Sequence, residues 1–264
     1  MLCLTFVNAC SSHNDAERSD ATPRSSPEPS DSESLGLVSD RCGDPQSDTP
    51  LVHLAASDGI ELVGFEVGRG NVGIVLGHQY PSDLCDWWTF AESKARDGVR
   101  LVALDFRCYG ESPCPQGAAS QELLRDIEAA ALRLRSGGAK SLFYMGASMG
   151  GTLAFAVGDK LSRLFDGVVN LSGGGDFANL VGSRYVDAPR FAPRVRVPLL
   201  SILARDDPNI SVSQVRREFD AAPVNDKRLV LLPGSAHGVT LLEADGDGAT
   251  PLTGTVEAWI RARA

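Results

Sequence analysis

The sequence predicts an α/β protein, in which a mostly parallel sheet of about eight strands has helices on both faces. Two observations support this prediction. Short apolar runs alternate with helical patterns along residues 51–264, as expected when strands and helices follow one another in repeated units. Several of these runs are apolar throughout, which is typical of strands that are buried on both faces of a parallel sheet.

The elements are expected in a regular order along the chain. Residues 51–56 and 60–67 are apolar runs joined by a Ser-Asp-Gly turn, which predicts an antiparallel hairpin. Further strands are expected at 72–76, 101–106, 141–145, 168–171, 199–203 and 229–232, and helices at 87–96, 121–134, 149–157, 212–219 and 253–261. This pattern indicates one folded domain over 51–264, with neither an internal repeat nor a second domain.

The first 50 residues have a different composition. They carry nine acidic and three basic side chains, so this segment has a net charge of −6 against −9 for the whole chain of 264 residues. Residues 11–50 nearly lack large apolar side chains, so they cannot bury enough surface to offset the entropy of ordering. We therefore predict a disordered acidic tether at 11–50. The sequence contains no basic cluster typical of nucleic-acid binding and no apolar run of the ~18 residues that a spanning helix needs.

Residues 1–10 resemble the end of a bacterial lipoprotein signal. A short apolar run ends in Ala9 and then Cys10, and a polar stretch follows. This pattern predicts lipidation of Cys10, a location outside the cytoplasm, and membrane contact through that lipid alone. A frayed N-terminus on a cytoplasmic protein is the alternative.

A G-x-S-x-G motif at 146–150 lies between a predicted strand and a predicted helix. Such a tight turn holds a serine hydroxyl clear of the sheet, and glycines on both sides let strand and helix approach each other. Ser148 is therefore a candidate nucleophile, and the backbone N–H of Met149 is a candidate oxyanion donor. A glycine-rich packing turn is the alternative interpretation.

The candidate base and acid follow the motif along the chain. His237 is the only histidine after Ser148, and it comes just after the strand at 229–232. Asp206 and Asp207 follow the strand at 199–203, where an acid that orients the histidine would lie. Either aspartate could instead cap a helix or close a turn.

These motifs together resemble the α/β-hydrolase family over residues 51–264. The family often has Asp-x-x-Val-Pro after this strand, and the spacing of 207–211 favours Asp207 over Asp206 as the acid. Residues 74–79 resemble the family strand that ends in His-Gly. Gln79 replaces that glycine, so the resemblance implies Gln79 or Tyr80 as the second oxyanion donor, and a structural role for His78.

Two further segments carry the resemblance. Residues 104–112 resemble the family's Asp-x-Arg-Gly-x-Gly-x-Ser loop, with Cys108 in place of a glycine, and residues 230–238 resemble its last strand and histidine turn. The segment between 171 and 199 is too short for the helical lid that many relatives insert there. An open site of this kind suits small substrates.

The resemblance implies a serine hydrolase that cleaves an ester or similar acyl bond of a small molecule through an acyl-enzyme, with no metal and no cofactor. A carboxylic ester is the expected substrate. An extracytoplasmic peptidase-type hydrolase is one alternative, and a surface-anchored protein with a silent site is another.

The six cysteines include no C-x-x-C pair, which argues against a zinc site. Outside the cytoplasm, the last four would form an even set with three possible pairings. Cys108 and Cys114 flank a tight loop and are expected to pair, which leaves Cys42 to pair with Cys85. Four thiols in a cytoplasmic enzyme are the alternative.

Overall fold

The computed structural model describes residues 35–242 and 252–264. The predicted lipidation site Cys10, the signal-like segment 1–10 and most of the predicted tether lie outside the described residues. Over the two described ranges, no helix has the length and apolar character needed to span a membrane.

Eight strands form one sheet in the described part of the chain. They are β1 Leu51–Ala55, β2 Glu61–Val67, β3 Val72–Gly77, β4 Val99–Leu104, β5 Ser141–Ala147, β6 Gly167–Leu171, β7 Leu199–Ala204 and β8 Lys227–Leu232. The helices are α1 Val38–Cys42, α2 Trp88–Arg96, α3 Leu123–Ser136, α4 Met149–Lys160, α5 Ala178–Val181, α6 Ala188–Phe191, α7 Val212–Ala221 and α8 Leu252–Arg261. Short 3₁₀ segments cover Leu84–Trp87, Gly117–Gln121, Ala192–Arg194 and Gly238–Leu242.

The strand order is β1-β2-β4-β3-β5-β6-β7-β8. β2 runs antiparallel to β1 and to β4, and all other pairs are parallel. The predicted mostly parallel sheet of eight strands is therefore confirmed. β3 lies directly beside β5, with Gly77 opposite Gly146, so the loop after β3 and the turn after β5 emerge side by side.

Helices cover both faces of the sheet, as predicted. α3, α4 and α6 bury their apolar faces in one core, and α1, α2 and α8 bury theirs in the other. Side chains of one strand alternate between the two cores: Val75 belongs to the first, while Ile74 and Leu76 belong to the second. This double burial explains why the central strands read as continuous apolar runs.

The predicted bounds of β4 were shifted by two residues. The strand was expected at 101–106, but it spans Val99–Leu104. Asp105 and Phe106 have already left the ladder with β3, and the Phe106 N–H donates to the ring of His78 instead. Apolar character alone did not separate the last strand residues from the buried loop that follows.

The folded part begins earlier than the sequence predicted. Residues 35–50 were assigned to the disordered tether, but they contain α1, and Val38 is completely buried. Cys42 is bonded to Cys85, and Arg41 forms an ion pair with Asp105. This covalent crosslink and the ion pair hold a segment whose few apolar residues would not order it alone.

The structure contains both predicted disulfides. Cys42 pairs with Cys85 across 43 residues of sequence, and Cys108 pairs with Cys114 across 6. The first connects the N-terminal segment to the region after β3, and the second closes the loop after β4. Both loops adjoin the end of the sheet at which the candidate site lies.

Candidate active site

Ser148 occupies the turn between β5 and α4. β5 ends at Ala147 and α4 begins at Met149, while Ser148 has φ 49° and ψ −105°, a conformation that residues other than glycine rarely adopt. A Cβ at Gly146 or Gly150 would collide with backbone carbonyl groups. The turn therefore requires the two glycines that flank the serine in the motif.

His237 and Asp207 form a close pair. The Nδ1 atom of His237 lies 2.9 Å from Oδ1 and 2.8 Å from Oδ2 of Asp207. The carboxylate is completely buried, whereas 20% of the His237 side chain is exposed. Oδ1 also accepts hydrogen bonds from the N–H groups of Asn209 (2.9 Å) and Ile210 (3.3 Å). These contacts position the carboxylate to accept a hydrogen bond from Nδ1–H, which leaves Nε2 as the nitrogen that can accept a proton.

The two candidate acids lie in different environments. Asp206 is exposed, and its backbone N–H donates to the carbonyl of Gly234. Asp207 alone of the two meets His237. The spacing that favoured Asp207 in the sequence thus selects the residue that the structure places against the histidine.

The candidate nucleophile and the candidate base line one cavity of about 270 Å³. Ser148 and His237 both line it, at the carboxyl ends of the parallel strands. The other lining residues in the described part of the chain are Gln79, Tyr80, Met149, Thr152, Ser172, Phe177, Leu180, Val181, Asn209 and Ile210. The three predicted oxyanion donors, Met149, Gln79 and Tyr80, are thus among them.

His78 holds the loop that follows β3. Its ring is completely buried, which lowers its pKa to about 4 and keeps it neutral. Nε2 accepts the Phe106 N–H at 3.2 Å, so Nδ1 carries the proton and donates to the Gln79 carbonyl at 2.8 Å. Because the amide N–H and the carbonyl of a trans peptide point in opposite directions, the Tyr80 N–H is directed away from the His78 ring.

The loop after β4 is held by charged contacts. Arg107 is completely buried, and its guanidinium donates to Asp126 and to Asp58. Cys108 has φ 69°, which lies in the left-handed region that favours glycine. This conformation explains why the α/β-hydrolase family has glycine at the corresponding position. The disulfide to Cys114 closes the same loop.

The loop after β6 is held by a buried carboxyl group. Glu218 of α7 accepts the N–H of Gly175 at 2.7 Å, and Thr152 Oγ1 accepts the N–H of Gly174 at 2.9 Å. Burial raises the pKa of Glu218 to about 7. This loop leads into α5, so these contacts position one wall of the cavity.

Sequence reasoning did not find the apolar wall of the cavity. Phe177, Leu180 and Val181 come from α5 and the residue before it, and a helix of four residues shows no periodicity that a pattern search could detect. Ser172 also went unnoticed, although it follows a predicted strand. Among residues 35–242 and 252–264, no group of three or more His, Cys, Asp or Glu side chains could hold a metal ion.

Comparisons with known proteins find the same fold. A family model described as the alpha/beta hydrolase fold matches residues 74–184. A search by sequence among curated proteins finds no match.

Solved structures with the same fold include several hydrolases. An esterase of Pyrococcus furiosus is 16% identical over 82% of this chain and 93% of that chain, with a TM-score of 0.66. The enol-lactonase of Burkholderia xenovorans LB400 is 20% identical over 80% and 100%, with a TM-score of 0.62. The monoacylglycerol lipase of Paleococcus ferrophilus is 18% identical over 78% and 100%, with a TM-score of 0.61.

The chain has the α/β-hydrolase fold, and its resemblance to the α/β-hydrolase family is confirmed.

Proposed function

We propose that the protein is a serine hydrolase that cleaves a carboxylic ester. Ser148 is the nucleophile, His237 is the general base, and Asp207 orients His237. The observation that carries the proposal is the buried Asp207 carboxylate against Nδ1 of a histidine that shares a cavity with Ser148. A serine on a strained strand-to-helix turn and a histidine paired to an acid are the elements of a nucleophilic triad.

In this mechanism, Nε2 of His237 accepts the proton of Ser148 as Oγ attacks the acyl carbon. The negative charge that develops on the carbonyl oxygen is stabilised by the N–H of Met149, at the start of α4, and by the N–H of Tyr80. We choose Tyr80 rather than Gln79 because the His78 ring binds the Gln79 carbonyl. The N–H of Tyr80, in the same peptide unit, therefore points away from the His78 ring. His237 then protonates the leaving alcohol, and water releases the acid from Ser148.

The lining of the cavity favours an uncharged acyl ester. The lining side chains in the described ranges include neither Asp, Glu, Lys nor Arg. An aminopeptidase must pair the free ammonium group of its substrate, and an unpaired ion in such a pocket is costly. Leu180 and Tyr80, both substantially exposed, offer apolar surface to the substrate.

The test is labelling with a fluorophosphonate probe, together with a screen of acyl esters and aminoacyl amides. We expect wild-type protein to be labelled and to hydrolyse esters, and Ser148→Ala to lose both properties. Ser162→Ala is the matched control, because this hydroxyl lies beyond the far end of α4. Preferential cleavage of the amides would favour the peptidase alternative, and folded wild-type protein without label or turnover would favour a silent site.

We also propose that the protein works outside the cytoplasm and is attached to the membrane by a lipid on Cys10. The two disulfides support an oxidising location, and the sequence around Cys10 supports the lipid. In a bacterial host fed an alkyne fatty acid, we expect Cys10→Ser to lose the label and Cys3→Ser to keep it. Unchanged labelling of Cys10→Ser would contradict lipidation at this site.

A further inference from the structure

Ser172 is a buried hydroxyl group at the cavity. It directly follows β6, is only 2% exposed, and lines the same cavity as Ser148. In the described part of the chain, Ser172 Oγ has no hydrogen-bond partner. A buried hydroxyl without a partner is destabilising, so a bound molecule that supplies the missing partner would gain affinity.

Two neighbouring side-chain oxygens of the cavity already have hydrogen-bond partners. Thr152 Oγ1 accepts the Gly174 N–H and donates to the backbone carbonyl of Ser148 at 3.1 Å. The side-chain oxygen of Gln79 accepts the Val239 N–H at 3.4 Å. Ser172 Oγ differs from these two oxygens, because it is a buried polar atom that has no partner in the described residues.

The backbone places Ser172 close to the reacting centre. The N–H of Ser148 donates to the carbonyl of Leu171 at 2.8 Å, and Ser172 is the next residue along the chain. A substrate atom that meets Ser172 should therefore lie only a few bonds from the acyl carbon that Ser148 attacks. Because the described lining includes no Asp, Glu, Lys or Arg side chain, we take this atom to belong to a neutral group.

We propose that Ser172 is a specificity-determining residue whose Oγ forms a hydrogen bond with a neutral oxygen near the carbonyl of the acyl group. The preferred substrates are then esters of hydroxyacyl or oxoacyl groups, rather than plain acyl esters of equal length. This inference rests on the proposed function, since it assumes that Ser148 is acylated. Sites built to hydrogen-bond a substrate group discriminate against analogues that lack it, because the polar group of the site is then left unpaired.

The experiment compares p-nitrophenyl butyrate with each enantiomer of p-nitrophenyl 3-hydroxybutyrate. We expect wild-type protein to prefer one hydroxy ester by about ten-fold in kcat/KM. In Ser172→Ala, this preference and the difference between enantiomers should disappear, so that the three esters have similar values of kcat/KM. Ser162→Ala should keep the wild-type ratios. Ser172 has φ 53°, so Ser172→Gly, which this backbone accommodates, serves if the alanine variant fails to fold.

Two results would overturn the inference while leaving the proposed function intact. One is active wild-type protein that treats the three esters alike. The other is a Ser172 variant that loses activity equally on all three esters, which would indicate that the hydroxyl orders water or the loop. Wild-type protein that neither turns over any ester nor reacts with the fluorophosphonate would instead refute the proposed function, and this inference with it.

Discussion

Replacing Asp207 with asparagine tests how the acid acts on His237. Oδ1 of Asp207 accepts two backbone N–H groups, from Asn209 and Ile210, while Oδ2 lies 2.8 Å from Nδ1 of the histidine. In Asp207→Asn, the single amide oxygen satisfies the backbone donors best where Oδ1 was. The amide NH₂ then faces Nδ1 and favours the tautomer in which Nε2 carries the proton. That tautomer cannot accept the proton of Ser148.

The expected loss follows from this change of tautomer. The same substitution in a related triad lowers kcat by about 10⁴-fold, which corresponds to about 5.4 kcal/mol of transition-state stabilisation. The amide has nearly the size of the carboxylate, so we expect the fold to persist. Asp206→Asn, at an exposed position that does not meet His237, should change turnover by less than about two-fold, since most surface substitutions have small effects.

The assay is ester hydrolysis, with kcat and KM measured separately on the best substrate found. Circular dichroism and the unfolding midpoint report whether both variants keep the fold. Equal losses in the two variants would refute the tautomer argument, because no hydrogen bond or ion pair joins Asp206 to His237 in the described part of the chain. A larger loss in Asp206→Asn would transfer the role of acid to that residue.

Three further predictions concern the nucleophile, the crosslinks and a buried carboxyl group. Ser148→Ala and His237→Ala should each abolish ester hydrolysis without unfolding the protein, and near-normal turnover in either would contradict the triad. Replacing Cys42 and Cys85 with alanine should lower the free energy of unfolding by about 4 kcal/mol, and the same change at Cys108 and Cys114 should lower it by about 2 kcal/mol, because closing a loop of 43 residues costs more entropy than closing one of 6. Equal losses in urea unfolding would contradict this prediction. The pKa of Glu218 rises from 4.5 to about 7 on folding, so the stability that this group contributes is present below pH 4.5 and is lost as the pH rises through 7. Glu218→Gln should therefore gain stability over wild type between pH 5 and pH 8, by up to about 3 kcal/mol, and a difference that does not vary with pH would show that Glu218 does not titrate in this range.

Much of the fold and the positions of the candidate triad followed from local patterns. The turn at Ser148 needs glycines at fixed positions, so five consecutive residues are enough to predict its geometry. His237 and Asp207 are far apart in sequence, but both follow strands of a parallel sheet, and such strand ends meet at one edge. The order of strands and helices was therefore enough to predict that these residues lie close together.

The apolar wall and the N-terminal segment did not follow from local patterns. Leu180 lies in a helix of one turn that is held by its surroundings, so no repeating signal marks it. Residues 35–50 have the composition of a disordered segment, and what orders them is a bond to Cys85 and an ion pair with Asp105. The bond to Cys85 was predicted from the cysteines, but the composition of residues 35–50 alone contains no information about partners more than 40 residues away.

The attachment of α1 determines where the chain can be shortened. A fragment that starts at Leu51, where the sequence pattern suggests a domain boundary, would lose Arg41 and Cys42 together. Asp105, whose side chain is completely buried, would then lose its ion pair with Arg41, and Cys85 would become a free thiol beside the substrate-binding end of the sheet. Asp105 also accepts the N–H groups of Leu84 and Glu111. A chain that lacks residues 1–42 would therefore have both loops next to the oxyanion segment disturbed, so the length of the purified chain has to be verified before a low activity is attributed to the triad.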